Sequence, residues 1–247
     1  MKKVNLKVAT SVAAETGGLL KTYLKERGVY SVSSNVTVCY GIHDEEQPNL
    51  NGNCGRGKIY NLECLRQNGV RTVPWFSANA VPKDITFPLL ARKNHGYGGT
   101  DLVPVFQREE IIWRIAAGWD WFSEYVPLQT EFRVWIFRNQ FLDIYEKQMR
   151  RPEDYKYIGR NFRNGFDFVL TGRGSLEEEA AILEAKCALA ALELDFGAVD
   201  VLLGKDGWAY ILEVNTAPGV IKSRAQQTLG KLADCIVEWA KADCPER

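Results

Sequence analysis

The sequence predicts a mixed α/β chain, and three observations carry that expectation. Asp206-Gly207 is a hairpin signal, because both central residues of a type I′ turn need positive φ, and its flanks AVDVLL and WAYILEVN are rich in strand-favouring residues. Apolar residues recur near helical spacing in KIYNLECLRQNGV and again over about residues 224–242. Strand-like and helix-like segments alternate between these landmarks, with no internal repeat and no low-complexity tract. The 247 residues suffice for one large domain or two modest ones, and 46% hydrophobic with 25% charged residues is ordinary for a globular chain.

Taken in order, residues 16–27 (TGGLLKTYLKER) read as a short helix and 36–42 (VTVCYGI) as a buried strand. HDEEQPNLNGNCGRG is a polar loop, after which KIYNLECLRQNGV is a helix stopped by Asn-Gly, and VPWF opens a new segment. SANAVPKDITFP, residues 77–88, is a linker or a lobe boundary. FPLLARKN is a strand running into the glycine-rich loop HGYGGTD. Residues 131–148 read as two strands joined by Arg138-Asn139-Gln140. Ser175 with Glu178 forms a capping box that starts a helix running to about Leu194. The last helix places Leu229, Leu232, Ala233, Ile236, Val237 and Ala240 on one packing face.

The hairpin carries chemistry. If Asp206 and Gly207 alone form the loop, Asp200 sits opposite Glu213; if Gly204–Gly207 form it, the two are diagonal but share a face. Asn215, two residues on, shares that face too. Adjacent carboxylates repel unless a cation compensates them, and an oxygen-only ligand set suits a hard ion such as Mg²⁺ rather than zinc. The competing reading is an acidic outer face on an edge hairpin. Upstream, Gly96, Gly98 and Gly99 permit the close backbone approach of a phosphate-cradling loop, with Arg92 or Lys93 as a charged anchor. Neither a Walker A motif nor a dinucleotide fingerprint is present, and the glycines alone suit a hairpin turn better than a phosphate loop; their weight comes from lying upstream of the Asp200–Glu213 hairpin.

Charge and cysteines exclude other classes. Thirty-one basic and 31 acidic residues cancel, giving no sign of a nucleic-acid partner. No apolar run is long enough to span a bilayer, and MKKVNLKVATSVAAETGG lacks the uninterrupted apolar stretch of a signal peptide. The six cysteines form no CxxC pair, which argues against zinc and for reduced thiols in a cytoplasm.

From about Lys58 to Gly219 the order of segments resembles the ATP-grasp superfamily. The resemblance rests on LARKNHGYGGTDLV, WFSEYVP, EFRVWIF and FGAVDVLL…YILEVNTAPG. It implies an α+β (α/β) fold in which two lobes clamp ATP between β-sheets: a short N-terminal region over 1–76, a small lobe with a glycine flap over 77–126 and a large lobe over 127–247. It implies that Glu124, Tyr125 and Val126 form the adenine-reading hinge with a carboxylate for the ribose. Glu131, Lys147 and Lys58 would contact the nucleotide, and Asp200, Glu213 and Asn215 would hold Mg²⁺ or Mn²⁺. Arg92 stands where many members have a lysine; it keeps the charge and adds a bidentate fork. RKNHGYGG and RNFRNG (Arg160–Gly165) resemble the short phage-type, ribosomal-protein-glutamate-ligase-like branch, with RNFRNG near the acceptor.

That resemblance implies an ATP-dependent carboxylate–amine ligase acting through an acyl-phosphate and releasing ADP and phosphate. Arg133, Arg160 and Asn164 are its candidate catalytic residues, and Arg150, Arg151, Lys156, Arg160 and Arg163 give residues 149–163 a local positive field against Glu153 and Asp154. The competing reading of that stretch is a solvated basic loop. The expected partners are amino acids or peptides, or a protein or modified-nucleobase acceptor, in the cytoplasm (a host's cytoplasm for a viral chain). The alternatives are a phosphotransferase on the same scaffold and a nucleotide-binding module without turnover.

Overall fold

The computed structural model describes residues 3–9, 14–45, 49–94, 102–150, 159–172, 174–220 and 222–242. The expected glycine flap (Gly96, Gly98, Gly99) and most of the basic stretch (151–158) lie outside them, as does Cys244.

Three sheets organise the chain. The first is parallel, with β1 (Asn5–Val8) beside β2 (Thr37–Tyr40) and β3 (Asn49–Leu50), and α1 (Ala14–Glu26) crosses from β1 to β2. After it, α2 (Lys58–Gln67) leads to β4 (Trp75–Ser77), which straddles the expected boundary at residue 76. β4 joins a second, antiparallel sheet in the order β4-β7-β5-β6, built from β5 (Leu89–Arg92), β6 (Leu102–Val105) and β7 (Trp121–Glu124), with α3 (Arg108–Ala116) between β6 and β7. One face of this sheet packs Leu89, Ala91, Val105 and Phe122 against Ile111 of α3.

The third sheet is antiparallel and ordered β10-β9-β8-β11-β12. It holds β8 (Leu128–Phe137), β9 (Gln140–Met149), β10 (Phe166–Leu170), β11 (Phe196–Gly204) and β12 (Ala209–Asn215). β8 starts three residues before the expected strand, and Gln140 pairs with Phe137, so Arg138 and Asn139 alone form the turn. α4 (Leu176–Ala191) lies before β11, and α5 (Lys222–Ala242) closes the chain. Ser175 Oγ accepts from Glu178 N (3.2 Å), which is half of the expected capping box. The Glu178 carboxylate instead accepts from Thr171 Oγ1 and the backbone of Gly172 and Gly174, tying down the preceding loop.

Period-two alternation sorts the third sheet into two faces. Phe132, Val134, Ile136, Ile144, Val199, Val201, Ile211 and Val214 meet the alanine-rich side of α4, where small residues at 181, 185 and 188 let the helix sit close. On the other face Trp135, Phe137, Tyr145, Phe196 and Ala198 meet the first sheet, α1 and the Leu229, Leu232, Ile236 and Ala240 side of α5. Among the described residues, no helix is long and apolar enough to cross a membrane, and the described cysteines are free.

Candidate active site

The second face of the third sheet changes character along its length. Beyond Trp135 on β8 come Arg133 and Glu131; beyond Ala198 on β11 comes Asp200; beyond Tyr145 on β9 comes Lys147. Asp200 lies directly opposite both Arg133 and Glu213 in the strand register.

The hairpin reaches that register by neither expected loop. Leu203 pairs with Ala209 and Gly204 N donates to Trp208 O (2.9 Å), so Lys205–Gly207 form a three-residue loop with Gly207 at φ 83°. Continued without interruption, that register would oppose Asp200 to Leu212 and turn Glu213 to the α4 face. A bulge between Asp200 and Val201 absorbs one residue, after which Asp200 pairs with Glu213 and Val214 returns to the core.

Arg133 grips Asp200 with a bidentate fork, Nε to Oδ1 at 2.7 Å and Nη2 to Oδ2 at 2.8 Å. Lys147 Nζ donates to Asp200 Oδ2 (2.9 Å) and to Glu131 Oε1 (2.5 Å), with its side chain 3% exposed. Burial opposes the charge on all four groups. Arg133 and Lys147 nevertheless hold Asp200 far below the usual carboxylate range, and Asp200 and Glu131 raise the pKa of Lys147. Glu131 moves the other way: burial pushes its pKa up, against the opposing charge of Lys147. Phe168 of β10 presents its ring to Arg133 (4.7 Å) and Lys147 (5.6 Å).

Lys58, at the start of α2, places Nζ 3.4 Å from Glu213 Oε2, while Asn215 Nδ2 donates to Glu213 Oε1 (3.1 Å). Asn94 Oδ1 accepts from Ile59 N (2.9 Å), tying the end of the β5 segment to the first turn of α2. From the second sheet, Arg92 lies over Trp121 (5.0 Å) and donates from Nε to Ser123 Oγ (3.0 Å). Burial lowers the Arg92 pKa, and the carboxylates of Glu213 and Glu131 oppose that shift across the cleft between the sheets. Arg160 reaches the same cluster, its charge acting on Glu131; its Nε is buried without a hydrogen-bond partner among the described residues, and its guanidinium lies over Phe166 (5.3 Å).

The structure thus gathers Lys58, Arg92, Arg133, Lys147 and Arg160 around Glu131, Asp200 and Glu213, an excess of cations that suits a polyanionic ligand. Side-chain cations already compensate the paired carboxylates, so their pairing does not by itself require a metal. The donors do fit a hard divalent ion: Glu213 is a third exposed, and among the described residues Asn215 Oδ1 accepts no hydrogen bond while Nδ2 is engaged. No cluster of three or more His, Cys, Asp or Glu suited to a metal occurs among the described residues.

Other expected residues are placed differently. Glu124 N and Tyr125 N donate to Pro74 O (2.9 Å) and Pro88 O (3.0 Å), which fixes the segment between the sheets. Of the three expected hinge amides, Val126 N–H alone has no backbone acceptor among the described residues. Asn164 is committed to its own loop, where Nδ2 donates to Gly159 O (2.7 Å) and its N–H to Asn161 Oδ1 (2.9 Å), and Gly165 follows at φ 89°. The asparagines and glycine of RNFRNG therefore build a turn that positions Arg160. Two contributors carried no sequence signal of their own. Tyr40 OH donates to Pro218 O (2.7 Å), and Gly41, at φ 76°, lies so close to Ala217 that an added Cβ would come within 2.6 Å of it. The first sheet thereby braces the loop that follows Asn215.

No protein-family profile matches the chain. A D-alanine–D-alanine ligase from Clostridium beijerinckii is 24% identical over 174 residues, which are 64% of this chain and 56% of that protein. The chain therefore spans less than two thirds of the length of the curated relatives it matches. Among solved structures, D-alanine–D-alanine ligase from Bacillus anthracis superposes with a TM-score of 0.69 at 18% identity, covering 98% of this chain and 97% of that one. The ATP-grasp ligase PsnB, complexed with a minimal precursor, Mg and ADP, gives 0.66 at 12% identity, covering 96% of each. The fold is the ATP-grasp fold.

Proposed function

We propose that the chain is an ATP-dependent carboxylate–amine ligase that forms an amide or peptide bond and releases ADP and phosphate. The observation that carries this reading is the surplus of cations converging on Asp200, Glu213 and Asn215 between two sheets. The likeness to D-alanine–D-alanine ligases and to PsnB supports it. Lys58 and Arg92, on segments joined through Ile59 and Asn94, would hold the phosphates together with Lys147 and Glu131. Val126 N–H would read the adenine edge and Glu124 the ribose. Mg²⁺, bound by Glu213 and Asn215 with Asp200 behind them, would supply charge neutralisation at the β- and γ-phosphates.

A substrate carboxylate oxygen attacks the γ-phosphorus and the bond to the β-phosphate oxygen breaks, leaving ADP and an acyl-phosphate. An amine then forms the C–N bond as phosphate leaves and the nitrogen gives up its proton. Arg133 and Arg160 would carry the negative charge of the intermediate, a role for which Arg160 Nε, without a partner among the described residues, is suited. No protein nucleophile is required. Amino acids or peptides are the substrate class, and a reducing, ATP-supplied cytoplasm suits the free thiols.

Glu213→Ala tests the assignment. With ATP, Mg²⁺ and a pool of amino acids and short peptides, the wild type should make ADP and a product equal in mass to two pool members less one water. The variant should lose ADP formation while its melting curve stays that of the wild type. Undiminished turnover in the variant would remove Glu213 from the site, and a stable phosphorylated product made without an amine would replace the ligase by a phosphotransferase.

A further inference from the structure

The sheet edges of this protein are not alike. In the first sheet β1 is bridged next to its start, Val4 to Tyr30, and β3 has only two residues. In the second, β6 carries Pro104 and β4 has three residues following Pro74. In the third, Thr72 bridges Ile211 and Ile211 N donates to Arg71 O (2.8 Å), so the outer side of β12 is covered. These are the ordinary ways of blunting an edge. β10 has none of them: Phe166–Leu170 is a five-residue edge strand with no proline, no lysine and no bridge on its outer side among the described residues.

The register shows which main-chain groups face outward. Arg150 N donates to Gly165 O (2.8 Å) and Thr171 N to Ile144 O (3.0 Å), so the odd-numbered residues of the 165–171 segment bond β9. Phe166, Phe168 and Leu170 therefore turn their N–H and C=O to the outer side. Asn161 O takes the N–H of Phe166 (3.1 Å); those of Phe168 and Leu170 have no backbone acceptor among the described residues. The same strand supplies the rings beneath the cations: Phe168 under Arg133 and Lys147, Phe166 under Arg160. Next to it, Arg150 is offset in part by Asp167 (3.5 Å) and lies over Phe162 (4.3 Å). Among the described residues, an open main-chain edge thus runs beside the cation cluster, in which Arg160 Nε is buried without a hydrogen-bond partner.

The geometry points to the outer edge of β10 as the seat of an extended acidic peptide segment, paired main chain to main chain with Phe168 and Leu170 and delivering a carboxylate toward Arg160. A free amino acid has no use for such an edge; a strand added to it gains affinity from the backbone and specificity from the cation cluster. The fate of the carboxylate rests on the ligase reading, but the binding does not.

The test uses the whole protein and a fluorescein-labelled heptapeptide, Thr-Val-Thr-Glu-Thr-Val-Thr, read by fluorescence polarisation. Two versions carry N-methyl groups on alternate amides, one in each register. A paired strand turns only one of those registers toward β10, and the central Glu prevents a one-residue slip because that slip would reverse its side chain. One methylated version should bind more than about tenfold more weakly, and the other should match the parent. Leu170→Pro, which removes an outward N–H and leaves the β9 ladder whole, should weaken the parent peptide likewise without changing ATP binding. Equal binding of both methylated versions overturns the proposal, as does absence of binding by the parent. A dimer of the protein that Leu170→Pro abolishes and the peptide cannot displace also overturns it. If the peptide pairs but yields no ADP, the ligase reading fails alone; if ADP forms from free amino acids and no register effect appears, the edge fails alone.

Discussion

Val199, Asp200 and Val201 are consecutive and buried, yet they belong to different chemistries. The two valines enter a layer closed by α4, where fit depends on volume. Asp200 enters a layer where its carboxylate accepts from Arg133 and Lys147, and fit depends on charge balance. The apolar layer tolerates small changes because each methylene contributes separately to burial. The charged layer does not, because removing one partner leaves the others buried and uncompensated.

The largest contrast between the faces should come from Lys147→Met, which leaves Glu131 and part of the Asp200 charge uncompensated. We expect a loss of about 3–5 kcal/mol in urea unfolding, and Lys147→Met with Glu131→Gln should recover part of it. A loss below that of a single core methylene would mean that water reaches the cluster. Next, Ile136→Val, on the α4 face of the neighbouring strand, should cost about 0.5–1.5 kcal/mol and leave ATP binding unchanged. The smallest effect belongs to the loop before α4. Burial opposes ionisation of Glu178, but hydrogen bonds from Thr171, Gly174, Gly172 and Ser175 outweigh it and hold its pKa below the ordinary 4.5. Its contribution is therefore fully present above pH 4.5 and lost as pH falls through the lowered value. Glu178→Gln should flatten that part of the stability–pH curve, and an unchanged curve would assign the acid sensitivity elsewhere.

Much of this contrast was legible in the sequence. Asp206-Gly207 located the hairpin, and period two put Asp200, Glu213 and Asn215 on one face. The helices over 58–67 and 222–242 followed from apolar spacing and stop signals. What escaped were features decided between segments. The three-residue loop and the compensating bulge produce the same final pairing as the simpler two-residue loop, so nothing local separates them. The Arg133–Asp200–Lys147 network joins β8, β9 and β11, and only the strand order brings its members together. Phe168 was readable as an alternate position in FDFVL, but its role beneath two cations depends on β10 lying beside β9. The asparagines of RNFRNG, read as acceptor chemistry from the resemblance, satisfy the turn in which they stand.

The extra residue in β12 makes the hairpin a parity device. Between Asp200 and Glu213 the chain counts residues modulo two, and the loop and the bulge each contribute one unit to that count. Straightening the bulge while keeping every residue would exchange the two faces of the strand beyond Ile211, presenting Val214 to the charged cluster and burying Glu213 under α4. Deleting Leu212 would straighten it and keep the phase, because Ile211 would still pair with Val201 and Glu213 with Asp200. Length variation in this segment should therefore be graded by whether the loop or the bulge takes it up, rather than by size.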